Sequence, residues 1–194
     1  SAFMGCTGFT GSLIIPDSVV EIGNQAFSGC TGFDRTLQLS NNIKKLSDSV
    51  FYNCNNFVGP ITIPKSVTII DKNAFSNTKI AHILIPSNVS QLSEGWFAGM
   101  SNLKKITIVP DNPNFINFDT KMVLEKTNAS KDVYDKIVFV YRDIKEVKIP
   151  SFITTIASYS FYNSNIESIF IPSNVTHVYR YAFANCSKLQ KVEF

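Results

Sequence analysis

Seven phenylalanines return at a nearly fixed interval: Phe3, Phe27, Phe51, Phe75, Phe97, Phe161 and Phe183, separated by 24, 24, 24, 22, 64 and 22 residues. A large aromatic recurring this way constrains the fold more than any other feature of the chain. A unit so short cannot bury its own apolar face, so it must stack on copies of itself. The chain is therefore expected to be a repeat solenoid, an architecture that presents extended surfaces for binding.

Each position of the repeat has a physical reading. The unit that starts at Leu13 runs Leu13-Ile14-Ile15-Pro16-Asp17-Ser18-Val19, then Ile22-Gly23, then Ala26-Phe27 and Cys30. Leu37, Ile61, Ile83, Val147 and Ile169 open equivalent units. The apolar-x-apolar step has period two, so Leu13 and Ile15 are expected to point inward and Ile14 outward from a short parallel strand. The proline that follows in most units removes a backbone donor and ends the ladder. Asp, Ser and Asn then make a turn, and Val-x-x-Ile returns two apolar side chains to the core. The step x-x-Ala-Phe-x-x-Cys predicts a short helical or 3₁₀ turn that places Phe in the centre.

The rhythm breaks between residues 109 and 142. There Met122-Val123-Leu124 and Lys136-Ile137-Val138-Phe139-Val140-Tyr141 predict two strands of a β-hairpin, with Thr127 to Asp135 as its loop. Regular units resume afterwards, which makes this one irregular repeat with a hairpin insertion inside a single domain over residues 1–194. Ser1-Ala2-Phe3 matches the middle of later units and Val192-Glu193-Phe194 the strand of another. The chain is thus expected to be a piece of a longer array.

Composition narrows the function classes. An apolar fraction of 44% with 12% aromatics excludes a disordered tail. A formal net charge of +3 without any run of Lys or Arg does not suit nucleic acid. The longest strongly apolar run, Ile137 to Tyr141, is too short to span a membrane.

The strand Ile-x-Ile-Pro, the Ser-Val-x-x-Ile-Gly step and the Ala-Phe-x-x-Cys step together resemble the BspA-like, or Treponema-type, leucine-rich repeats. Residues 13–30 follow that pattern almost throughout, and the resemblance extends over nearly the whole chain. It implies a right-handed leucine-rich-repeat coil with short parallel strands. It further implies a secreted or surface-anchored protein of a bacterium or parasitic protist, used for adhesion to host proteins or other cells. No catalytic residue and no particular ligand come with it.

Reactive side chains were weighed against that background. Cys6, Cys30, Cys54 and Cys186 all stand three residues after a repeat Phe, where Thr78, Met100 and Ser164 stand in other units. Such a slot reads as a column of reduced, buried thiols rather than metal ligands or disulfides. His82 and His177 have no readable nucleophile beside them. The acids of the insertion (Asp111, Asp119, Glu125, Asp132, Asp135, Asp143) alternate with Lys121, Lys126, Lys131, Lys136 and Arg142, as on a solvated hairpin. Asp111, Asn112, Asn114, Asn117 and Asp119 offer oxygens but not the spacing of a calcium loop. Sequons begin at Asn88, Asn128, Asn174 and Asn185, with Asn128 expected to be the most accessible.

A partner is therefore expected on a surface. The outward strand residues Ile14, Gln38, Thr62, Leu84, Thr107, Lys148 and Phe170, continued by Glu193, form the first candidate face. The 109–142 hairpin is the second. The expected function is a non-catalytic, extracellular or cell-surface module for protein interaction or adhesion. It needs no cofactor and no metal, and takes a protein or cell-surface macromolecule as partner. The alternative is a passive spacer that displays another domain.

Overall fold

The structure, a computed structural model, describes all residues from Ser1 to Phe194. It divides into two compact units, residues 1–103 with 109–112, and residues 104–108 with 113–194. Both are built from stacked coils, so the fold is a leucine-rich-repeat solenoid of short parallel strands.

In the first unit each coil contributes three hydrogen-bonded edges. One is a parallel strand ladder, with Gly11–Ile14 on Phe33–Gln38 and Pro60–Thr62 on His82–Ile85. Alternation is as expected, since Ile14 is 62% exposed while its neighbour Ile15 is buried at 5%. The second edge is a ladder of two-residue strands, Lys45–Leu46, Ile69–Ile70 and Gln91–Leu92. Leu46 and Ile70 are fully buried, which is where the Val-x-x-Ile step sends them.

The third edge corrects an expectation. No helix occurs among the described residues, and the Ala-Phe-x-x-Cys step is a run of turns. From Phe27 onward, residues two before and two after each repeat Phe have positive φ, as Gln25 (57°) and Gly29 (72°) do around Phe27, or Asn73 (55°) and Asn77 (61°) around Phe75. Single left-handed residues at this spacing stop a helix from propagating. They also redirect alternate N–H groups. Those of Ala26, Ser28 and Cys30 close turns within the coil, while those of Gln25, Phe27 and Gly29 donate to Asp48, Val50 and Tyr52 of the next coil. The turns are thereby a ladder of their own, and the buried backbone stays satisfied.

The rings of Phe3, Phe27, Phe51 and Phe75 stack with centroid separations of 5.2, 5.9 and 5.7 Å. Phe51 and Phe75 are fully buried, whereas Phe3 is 44% exposed because the column covers it on one side only. Beside them runs a second column that the repeat reading overlooked, Phe9, Phe33 and Phe57, stacked at 4.9 and 5.6 Å. The columns meet edge-on, at 6.1 Å between Phe51 and Phe57, a geometry that aligns ring edges with π faces.

The second unit is organised by the irregular segment. The hairpin is joined by a third strand, so Phe115–Phe118, Met122–Glu125 and Lys136–Val140 form an antiparallel meander. Its last strand continues in parallel to Thr155–Ile156 and then His177–Val178, giving a five-stranded mixed sheet. Met122, Val123, Leu124, Ile137, Phe139 and Val140 are all essentially inaccessible, so the two later strands of the meander are buried on both faces while Phe115–Phe118 is partly exposed. Met122, Leu124, Ile137 and Val140 pack with Ile153, Ile156, Phe161 and Ile169 in one core. Val147 and Ile149 also point inward, but their segment makes only one bridge, Glu146 to Ser168, instead of a strand.

Candidate interaction surfaces

Period-two alternation places the first candidate face as follows. In the first unit Ile14 stands opposite Gln38 and Thr62 opposite Leu84. Ile14, Gln38 and Thr62 are exposed and Leu84 is half-buried. In the second unit Phe170, 54% exposed, stands opposite Glu193. The bridge from Glu146 to Ser168 sets Lys148 level with Phe170, and both are exposed. Thr107, on Lys105–Ile108, is half-buried. Ser12 and Thr36 tie two strands of the first ladder with a hydrogen bond of 3.0 Å, and Lys191 pairs with Glu193 along its own strand at 2.6 Å. Both faces mix apolar with polar or charged side chains, so neither forms a continuous apolar patch.

The hairpin offers less surface than its sequence suggests, because its strands are core. What remains exposed is the loop from Thr127 to Val133. Asp135 fastens it, accepting from the Thr127 N–H at 2.9 Å and from the Thr127 hydroxyl at 2.8 Å. Burial on its own would raise Asp135, but these bonds and one from Thr154 hold its carboxyl below the ordinary 3.8. Lys126 donates to Asp132 at 3.0 Å and lies 4.7 Å from the Tyr134 ring centre. All four sequon asparagines are exposed, so Asn128 is not set apart by access alone.

Arg142 departs furthest from expectation. Its alternation with the acids of the insertion predicts a solvated charge, yet it is 4% exposed. Its guanidinium donates to the Ser160 carbonyl at 2.8 Å and the Tyr159 carbonyl at 3.2 Å, and lies 4.2 Å from the centre of the Phe139 ring. Burial pushes it down to about 9, which leaves it charged at neutral pH. The carbonyl dipoles and the π face replace part of its lost hydration.

Two of the residues that offer oxygens for calcium, Asn112 and Asn117, are engaged with backbone groups. Asn112 is buried and donates to the Pro86 and Val89 carbonyls, each at 3.0 Å. Asn117 accepts from the Ile108 N–H at 2.8 Å and donates to the Ile106 carbonyl at 3.0 Å. Both amides serve backbone groups that the irregular coil would otherwise strand.

All four cysteines are free thiols, with Cys30 and Cys54 buried, Cys186 half-buried and Cys6 exposed, so the buried column is incomplete. Their slot is more than a small apolar space. Cys30, Cys54 and Cys186 donate to the carbonyls of Phe3, Phe27 and Phe161, the repeat phenylalanines of the preceding coil, at 2.9–3.0 Å. The donor is not required by every coil, since the Thr78 hydroxyl in this slot is unpaired and Met100 offers none. Burial pushes the Cys54 thiol up to about 12, which suits a structural thiol rather than a nucleophile.

Comparison with known proteins bears on what such surfaces do. Residues 1–120 and 134–194 match the family described as BspA type leucine rich repeat region, in six copies. No curated protein matches the chain in sequence. A leucine-rich cell surface protein from Faecalibacterium prausnitzii is similar in structure, with a TM-score of 0.80 and 26% identity over 100% of this chain and 56% of its own. The pneumococcal vaccine antigen PcpA matches with a TM-score of 0.78 and 19% identity, covering 94% of this chain and 50% of its own. A leucine-rich repeat protein from Eubacterium ventriosum matches at 0.72 and 19% identity, over 99% and 55% respectively. The chain thus spans about half the length of these proteins.

Proposed function

The chain belongs to the BspA-type leucine-rich repeat family, and we propose that it is a non-catalytic adhesion module that binds a protein or other macromolecule outside the cell. The observation that carries this reading is the outward row on the strand ladders. Ile14 and Phe170 stay 62% and 54% exposed while the residues that alternate with them fill the core. The fold requires the inward set only, so the outward set is free to specify a partner. Support for an extracellular site comes from the F. prausnitzii protein, which is named a cell surface protein. No helix is long and apolar enough to cross a membrane. The same reading takes residues 1–194 as one domain.

The test is adhesion of the purified chain to extracellular-matrix proteins and to cells. Lys148→Glu combined with Phe170→Asp, and separately Ile14→Asp, should abolish retention while leaving the melting temperature within a few degrees, because all three side chains are exposed. Replacing residues 128–133 with Gly and Ser tests the loop and spares Asp135. Retention that survives every one of these changes would refute the strand face and the loop together. Substrate turnover dependent on any residue of the chain would refute the non-catalytic reading.

A further inference from the structure

We propose that a tyrosine cluster on the turn ladder of the second unit binds a neutral oligosaccharide. This site lies apart from the strand ladder that carries Lys148 and Phe170.

From Phe27 onward, the position two residues before each repeat Phe has positive φ. In the first unit it is filled by Gln25, Ser49, Asn73 and Gly95, with φ between 55° and 71°. Gly and Asn suit the left-handed region and Ser is small, with Gln25 the one long side chain among the four. In the second unit the same position holds Tyr159 at 62° and Tyr181 at 57°. A bulky aromatic is an unfavourable choice there, and packing of the coil does not demand it, because four other coils do without. Local strain retained at successive positions points to a use for the side chains.

Their arrangement indicates the use. The Tyr159 and Tyr181 rings stack at 5.2 Å with an interplanar angle of 27°. Tyr162 meets Tyr159 edge-on at 5.8 Å, and its hydroxyl accepts from the Asn185 amide at 3.0 Å. Tyr181 is 58% exposed. Nearby in sequence, Tyr179 is 50% exposed and stacks on His177. The cluster therefore presents the exposed Tyr181 ring, backed by the half-buried Tyr159, beside the Tyr162 hydroxyl and the exposed Asn185 amide.

A pyranose ring matches that surface. Its axial C–H bonds carry slight positive charge and settle on the negative π face of an aromatic ring. Its hydroxyls both donate and accept, as do phenol and amide groups. The four side chains are themselves uncharged, so the groups they offer suit a neutral sugar.

The experiment titrates the intact chain with neutral polysaccharides (mannan, galactan and β-glucan) and with anionic ones such as heparin. It compares the native chain with Tyr181→Asn and with the Tyr159→Asn/Tyr181→Asn pair. Asn is what the same column holds at Asn73, so the variants should fold and melt no lower than the native chain. At least one neutral glycan should bind in a salt-insensitive way, weakened about tenfold or more in the double variant. The Lys148→Glu/Phe170→Asp variant should bind it normally, which separates this site from the strand face. Absence of neutral-glycan binding, equal binding by the double variant, or binding confined to anionic polymers would each overturn the proposal.

Discussion

Arg142 holds a full charge where a repeat core normally holds none, and its surroundings explain how. Two carbonyls and one ring face are among its immediate contacts. Arg142→Ala should destabilise the chain by about 2 kcal/mol, because it removes one of the two donors that the Ser160 and Tyr159 carbonyls each have and opens space beside Phe139. Arg142→Lys should recover little of this, since an ammonium lacks the planar fork; equal stability of the lysine variant would show that charge alone matters. The phenylalanines behave more conventionally. Phe51→Ala and Phe57→Ala should each cost about 3–5 kcal/mol in chemical denaturation, and Phe3→Ala clearly less because that ring is partly exposed. Cys54 adds a pH signature. Its thiol ionises ordinarily near 9.0 and in the fold near 12, so the folded chain retains a proton that the unfolded chain releases between those values. Its contribution is complete below pH 9.0 and is lost as pH rises towards 12. The stability gap between the native chain and Cys54→Ala should shrink across that window, and a constant gap would contradict the assignment.

At the scale of elements, the turn ladder and the meander follow from different forces. The turn ladder rests on backbone conformation. Single left-handed residues on either side of each repeat Phe from Phe27 onward send alternate N–H groups to the next coil. The meander rests on burial, with both faces of Met122–Leu124 and Ile137–Val140 sealed. Its loop is secured separately by Asp135, whose carboxyl is held low by Thr127 and Thr154. That fastening is present above the ordinary carboxyl value of 3.8 and fades as pH falls through the lower folded value. Hydrogen exchange at the Thr127 amide should accelerate in acid and in Asp135→Ala, with little change in global melting. An unchanged amide in Asp135→Ala would mean that the loop is held by other contacts.

For the whole molecule, a single cooperative melting transition is the expected signature of one domain over residues 1–194, and two resolved transitions, one per unit, would overturn that reading. The sequence by itself determined the solenoid, the coil boundaries, the inward and outward strand residues and the family. Each depends on periodicity, and a period of 24 or 22 residues repeated in register leaves few ways to bury the same side chains. The second aromatic column was legible on the same grounds, since Phe9, Phe33 and Phe57 share the spacing of 24, but Ile80, Leu103 and Ile166 follow and weaken the signal. The absence of helix was half-written in Gly29, Asn53, Asn77 and Gly99, residues that accept positive φ; Gln25, Ser49 and Tyr159 concealed it. Only the tertiary structure decided the burial of Arg142, the double-sided burial of the two later meander strands and the stacking of Tyr159 on Tyr181. These arise where groups distant in sequence close on one another: the Phe139 ring and the Tyr159 and Ser160 carbonyls surround a guanidinium that, read from its neighbours in the chain, belongs in water.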